Sequence, residues 1–202
     1  MRIVFATGNE HKLGEIKAIL KDTAKEIISM KDAGVFTDAD ETGTTFEENS
    51  LIKARAVADA LRAKGDMEDT VVLADDSGLV VDAMGGEPGI YSARFLGEDT
   101  PHSEKNKEIL RRLEGVKDED RSARFVCSVA AVFADGTEDV VRETFEGRIG
   151  HEIAGKNGFG YDPIFFLPEY GCTSAELTPE QKNSISHRGK AIREMGRRLQ
   201  SL

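Results

Sequence analysis

The apolar run Val71-Val72-Leu73 leads straight into Ala74-Asp75-Asp76-Ser77-Gly78-Leu79, and no other stretch restricts the fold as tightly. A short apolar run bounded by turn-forming residues reads as a buried strand. Two adjacent carboxylates at the end of such a strand are costly, because like charges repel and desolvation raises their pKa. A divalent cation relieves both costs, and hard oxygen ligands suit magnesium. A solvated acidic turn is the other reading of the same residues, so the flanking sequence has to decide.

Strands and helices alternate on either side of this stretch. Ile3-Val4-Phe5-Ala6 reads as a buried strand, followed by Thr7-Gly8-Asn9-Glu10-His11-Lys12 and a helical face of Leu13, Ile16, Ile19 and Leu20. A strand, a glycine-containing loop and a helix start aim backbone N–H groups at an anion. The spacing of a Walker A loop is absent. Lys12 in a first helical turn opposes the helix dipole, which suggests another task for it. Glu26 to Met30 reads as a second strand. An acidic loop, Asp38 to Gly43, runs into Thr45-Phe46-Glu47-Glu48, read as a capping box with Thr45 as N-cap and Glu48 at N3. The helix that follows is apolar at Leu51, Ile52, Ala54, Val57, Ala58 and Leu61. Lys53 lies off that stripe, where solvated surface is the simplest reading.

Beyond Leu79 the chain reads as a further extended segment, then a turn-rich loop from Gly85 to Gly89, then a helix beginning at Pro101. Phe125 to Phe133 and Glu138 to Ile149 flank Asp135-Gly136, a strong turn signal, and are expected to form a long hairpin projecting as a lobe from the main sheet. Gly155, Gly158 and Gly160 alternate with Phe159 and Tyr161. Glycine at this density allows close backbone approach, and an aromatic there can stack on a flat ligand. Pro163 to Leu167 reads as a strand. Thr178-Pro179-Glu180-Gln181 reads as a helix start, and Ser186-His187-Arg188 precedes a closing helix with Ala191, Ile192, Met195 and Leu199 buried. The alternation favours an α/β or mixed sheet.

At 202 residues the chain is expected to form one domain, residues 1–202, with 39% hydrophobic and 32% charged residues, as in ordinary globular proteins. A net charge of −10 argues against a non-specific nucleic-acid binder or a binder of anionic membranes, though not against a small anion held by local lysines and metal. Cys127 and Cys172 lack metal-site spacing and read as free thiols. No run reaches transmembrane length and the first residues lack a signal-like apolar stretch, so a cytoplasmic protein is expected.

Four polar clusters remain: Thr7 to Lys12, Asp40-Glu41, Asp75-Asp76-Ser77, and Lys182 with His187-Arg188. Together they supply carboxylates for metal, lysines for phosphate, an aromatic glycine loop and donors for a ring edge. That inventory suits hydrolysis of a nucleoside polyphosphate. The motifs Thr7-Gly8-Asn9-x-x-Lys12, Glu41-Thr42-Gly43-x-Thr45-Phe46-x-Glu48-Asn49, Ala74 to Leu79, Gly89 to Arg94, Gly158 to Pro163 and Ser186-His187-Arg188 resemble, in order, those of the inosine triphosphate pyrophosphatase family. The bacterial members of that family are XTP/dITP diphosphatases. The resemblance covers nearly the whole chain. One departure is Asp40-Glu41, where many bacterial members carry two glutamates, which leaves open which of the two reaches metal.

The resemblance implies an elongated mixed α/β sheet flanked by helices with a central substrate cleft, a homodimer, and Mg²⁺-dependent conversion of XTP, ITP or dITP to monophosphate and pyrophosphate. It makes Asp76 the general base and a metal ligand, with Asp75 and Glu41 catalytic beside it and Glu41 or Asp40 completing the metal site. It gives the triphosphate to Thr7, Gly8, Asn9, Glu10, His11, Lys12 and Lys53. Ser77, Phe159, Gly160, Tyr161, Asp162, Lys182, His187 and Arg188 would hold the nucleoside. Three other readings stand beside it. Asp38-x-Asp40-x-Thr42 matches the nucleophile loop of haloacid-dehalogenase-type phosphatases, but hardly any strand precedes it. Asp76-Ser77-Gly78 matches an aspartic-protease triplet without a second copy. A non-catalytic nucleotide sensor would not need the complete carboxylate set.

Overall fold

The computed structural model describes residues 1–7, 10–37 and 39–201, excluding the side chains of Glu10 and His11. The expected ligands Gly8 and Asn9, and the side chains of Glu10 and His11, therefore lie outside the described residues.

In chain order the elements are β1 (Arg2–Phe5), α1 (Glu10–Leu20), β2 (Glu26–Ser29), α2 (Phe46–Ala63), β3 (Thr70–Val81), α3 (His102–Arg112), β4 (Ser122–Val132), β5 (Glu138–Ile149), β6 (Phe165–Leu167), β7 (Cys172–Thr173), α4 (Pro179–Ile185) and α5 (His187–Gln200). The strands form one sheet in the order β2-β1-β3-β4-β5-β6-β7. β1 runs parallel to β2 and β3, while β6 is antiparallel to β5 and β7. The expected mixed α/β class is what the chain adopts. No described helix is long and apolar enough to cross a membrane.

Two compact units divide the chain: Met1–Asp76 with Cys127–Glu143 and Arg188–Leu202, and Ser77–Val126 with Thr144–His187. In the first, the pleat sorts side chains by parity. Ile3, Phe5, Val71, Leu73, Cys127, Val129 and Ala131 pack on Leu13, Ile16 and Leu20 of α1 and on Ala191, Ile192, Met195 and Leu199 of α5. The intervening residues Val4, Val72, Ala74, Ala130 and Val132 pack on Ala54, Val57, Ala58 and Leu61 of α2. Strands covered on both faces read as continuous apolar runs, which is why Val71-Val72-Leu73 shows no alternation. Truncating a side chain such as Leu73, fully buried, is expected to cost roughly 2–5 kcal/mol. In the second unit Leu79, Val81, Phe125, Phe145, Ile149 and Phe165 meet Ile109 and Leu113.

The structure corrects several expectations. The carboxylates do not sit at a strand end: β3 continues for 12 residues through Asp75, Asp76, Ser77 and Gly78 to Val81. It can do so because each acid finds a cation on its own face, as described below. The β4–β5 hairpin is no projecting lobe. Both strands lie inside the sheet between β3 and β6, and their apolar residues supply core to each unit. Its turn forms as expected, with Gly136 at φ 89° and Asp135 Oδ1 accepting from the Thr137 N–H at 2.9 Å.

Thr45 caps α2 by accepting from the Glu48 N–H at 3.1 Å. Glu48, however, returns to the N–H and hydroxyl of Thr44 rather than to the N-cap residue. Residues 162–164 form a 3₁₀ turn, so β6 begins only at Phe165. At α4 the box is complete, with Thr178 and Gln181 bonding reciprocally behind Pro179.

Candidate active site

The same parity that builds the first unit's core separates Asp75 from Asp76. Asp75 shares its face of β3 with Val71 and Leu73, against α1 and α5, and meets Lys12 and Arg188 there. The Lys12 ammonium donates to both carboxylate oxygens at 3.1 Å, and the Arg188 guanidinium lies 3.4 Å from Oδ2. Burial opposes ionisation of Asp75, but Lys12, Arg188 and Lys53 outweigh it and hold the carboxyl well below the usual range. Arg188 is itself buried. Burial alone would lower its pKa; Asp75 and Glu15 turn the net shift upward. Glu15 Oε2 accepts from it at 3.3 Å. The sequence reading did not include Glu15, although its position three residues after Lys12 puts both on one helical face.

Asp76 shares the other face with Val72 and Ala74, against α2. Lys53 comes from that helix, and its ammonium donates to Glu41 Oε1 at 2.7 Å and to Asp76 Oδ1 at 3.2 Å. The solvated-surface reading of Lys53 is therefore replaced: its side chain is only 20% exposed. Burial lowers the Lys53 pKa, but Asp76 and the hydrogen bond to Glu41 outweigh it and raise the net value. For Asp76 the balance goes the other way. Burial raises its pKa and Glu41 adds to the rise, so Lys53 compensates only in part. Asp76 Oδ2 is buried with no hydrogen-bond partner among the described residues.

Glu41 reaches this cluster through a loop pinned to the start of α2. The Gly43 N–H donates to Asn49 Oδ1 at 2.9 Å, while Thr44 donates to Glu48. A Cβ at Gly43 would lie 2.6 Å from Asn49 Oδ1, so only glycine allows this approach. Asn49 is fully buried, and its Nδ2 has no partner among the described residues. Asn49 was part of the motif but had been assigned no task. Asp40 is exposed, and its carbonyl accepts from the Thr42 N–H. Thr7, Lys12, Glu41, Lys53 and Asp75 line a cavity of about 220 Å³ within this unit.

The second unit carries another cluster. Asp162, buried, accepts from the Phe159 N–H at 2.8 Å, from the Lys182 ammonium, and from the Ser174 hydroxyl at 2.7 Å. A Cβ at Gly158, where φ is +73°, would strike the same carboxylate. Phe159 is left 51% exposed, with the Lys182 ammonium 4.8 Å from its ring centroid. Tyr161 is buried and donates to the Ser92 carbonyl at 2.7 Å. His187 is buried and stacks on Phe125 at 5.0 Å, while Ser77 is partly buried on β3. Asp162 and Tyr161 thus face inward and shape the loop, whereas Phe159 faces solvent.

Against known proteins, the model of the Ham1 family matches residues 3–198. A dITP/XTP pyrophosphatase of Clostridium perfringens is 45% identical over 201 residues, covering 100% of this chain and 98% of the relative. A protein of the same name from Geobacillus kaustophilus is 46% identical over 190 residues, covering 94% and 90%. Among solved structures, a HAM1 protein from Coxiella burnetii superposes with a TM-score of 0.88 at 38% identity over 100% of both chains. The Staphylococcus aureus Ham1 protein gives 0.86 at 40% identity, covering 100% and 99%.

Proposed function

This chain belongs to the Ham1 family, and on that premise we propose that it hydrolyses non-canonical purine nucleoside triphosphates, XTP, ITP and dITP, to the monophosphate and pyrophosphate with Mg²⁺ as cofactor. The observation that carries the proposal is that Lys12 and Lys53, each bonded to a carboxylate of β3, line one cavity together with Asp75 and Glu41. Two lysines among carboxylates suit a polyanion that arrives with a divalent cation.

The residues present fit such a cation. Asp76 Oδ2 is buried without a partner among the described residues, and Glu41 approaches the same ammonium as Asp76. Among the described residues no group of three His, Cys, Asp or Glu side chains forms a cage. Mg²⁺ does not need one, since it binds through one or two carboxylates, substrate phosphates and water. Asp76 and Glu41 would hold it; Asp40, exposed, is less suited. Bound there, it would neutralise phosphate charge and polarise the phosphoryl group under attack.

Asp76, whose Oδ2 has no hydrogen-bond partner among the described residues, is the base that takes the proton from the attacking water. Lys12 and Lys53 draw the triphosphate in, and Asp75 holds Lys12 and Arg188 in place. In the second unit Phe159 offers a face for the purine, and Lys182 and His187 offer polar atoms for its edge. The family resemblance as a whole implies a homodimer, and a cytoplasmic enzyme that clears these nucleotides from the pool. The experiment is a nucleotide panel with pyrophosphate and phosphate detected separately. Pyrophosphate from XTP and dITP is the expected product; inorganic phosphate alone, or no turnover, would refute the proposal.

A further inference from the structure

Helix α3 belongs to neither set of ligand residues, yet it grips the loop that carries Phe159. Asn106, 3% exposed, donates from Nδ2 to the Gly160 carbonyl at 3.1 Å. One turn earlier, His102 stands edge-on to the Tyr161 ring at 5.4 Å and 87°. It also lies 3.8 Å from where a Cβ on Gly160 would be. His102 and Asn106 are four residues apart and share one helical face. Between them Lys105, almost wholly buried, donates to the Ala93 carbonyl at 2.6 Å. The adjoining carbonyl, that of Ser92, receives the Tyr161 hydroxyl. α3, the 92–93 segment and Tyr161 thus form a closed ring of contacts.

These contacts divide the loop's anchoring in two. Asp162 and Lys182 fix its internal shape by binding the Phe159 amide and covering its ring. α3 fixes where that shape stands, through the carbonyl of the residue directly after Phe159. The Phe159 ring is half exposed, so where it stands depends on the peptide that follows it as well as on the Lys182 contact. We propose that His102 and Asn106 are positioning residues for the nucleobase, holding the Gly160–Tyr161 peptide so that Phe159 is preorganised to stack on a purine. This rests on the functional reading above and adds specificity-setting residues to it. Preorganisation acts on binding, by removing the ordering cost that a loose loop would otherwise carry.

The test uses Asn106→Leu, His102→Ala and His102→Phe in the full-length protein. Hydrogen exchange of the 158–162 amides in the ligand-free protein is expected to speed up in Asn106→Leu and His102→Ala, and to stay near wild type in His102→Phe, which keeps a ring edge. For ITP, KM is expected to rise about three- to tenfold in the first two variants with kcat within twofold, as for loss of one hydrogen bond or ring contact. Inhibition by inorganic tripolyphosphate, which has no base, should be unchanged.

Unchanged exchange and KM in both variants would overturn the proposal, as would an equal loss of tripolyphosphate inhibition, which marks general destabilisation. If Asn106→Leu does not fold, His102→Ala at its exposed position decides alone. If the wild type turns over no purine triphosphate, the functional reading fails, and the exchange data still decide whether α3 holds the loop.

Discussion

Lys53 donates to Asp76 Oδ1 at 3.2 Å while the other oxygen of that carboxylate, Oδ2, is buried without a partner among the described residues. One half of the carboxylate is neutralised from α2 and the other half is left for something outside the protein. A carboxylate left half-satisfied in a buried strand favours a ligand that supplies positive charge or a proton. The first two predictions follow from this.

Chelation should abolish turnover. Without a divalent cation, triphosphate oxygens approach Asp76 and Glu41 as like charges. EDTA is expected to remove activity and added Mg²⁺ to restore it, followed by pyrophosphate release. Full activity in chelator would exclude the proposed roles of both carboxylates.

Asp76→Asn keeps the shape of the side chain and removes the base. A loss of roughly 10²–10⁴-fold in kcat is expected, with a smaller change in KM. With no cation bound the pKa of Asp76 is raised, and a bound cation opposes that rise, so the acid limb of the wild-type pH profile should move to lower pH as Mg²⁺ is increased. Steady-state kinetics from pH 4 to 9 check both, and an Asn variant within a few-fold of wild type would assign the proton to another group.

Lys12→Ala and Lys53→Ala should each weaken triphosphate binding by about 1.5–3 kcal/mol, the worth of a charge-assisted contact. KM for ITP measures this. If both variants kept wild-type KM and kcat, the lysines would serve only their carboxylates.

Asp75→Asn should act on stability rather than directly on chemistry. It leaves the buried Arg188 with Glu15 as its remaining acid among the acceptors described above. Removing one partner of a buried pair costs about 3–5 kcal/mol. The folded pKa of Asp75 lies below its unfolded value. Its contribution is therefore complete above the unfolded pKa of about 3.9 and is lost as pH falls toward the depressed folded value. Urea unfolding of wild type and variant at pH 7 and pH 3 measures both. Equal stability at pH 7 would show that Arg188 is neutralised without Asp75.

Base discrimination should follow hydrogen-bond polarity. Lysine can only donate, so a 6-keto purine satisfies Lys182 where a 6-amino group does not. ATP is expected to be a very poor substrate beside ITP, since sites built on such bonds reject the wrong analogue by up to about 10⁴–10⁵-fold. GTP shares the 6-keto group, and its exclusion beside XTP requires donors facing the 2-position. Comparing kcat/KM for XTP, ITP, GTP and ATP under one condition tests both parts. Equal values for ATP and ITP would remove Lys182 from the base edge.

The sequence by itself determined the elements and the order of the motifs. Apolar runs at Ile3–Phe5 and Val71–Leu73, the apolar stripe of α2, the Thr45 and Thr178 caps and the Asp135-Gly136 turn are local patterns, and local patterns are legible because they repeat with the period of the backbone. Partnership across the sheet is not local. Asp75 and Asp76 looked like a repelling pair at a strand end. The tertiary structure keeps them in mid-strand, where the pleat turns neighbours to opposite faces and gives each a different helix and a different cation. Lys53 looked solvated because its helical stripe says only which face is apolar, not that Glu41, 12 residues earlier, would be drawn against it. His102, Asn106 and Glu15 carried no motif. Their places depend on which loop or helix lies across from them, and only packing of distant segments decides that.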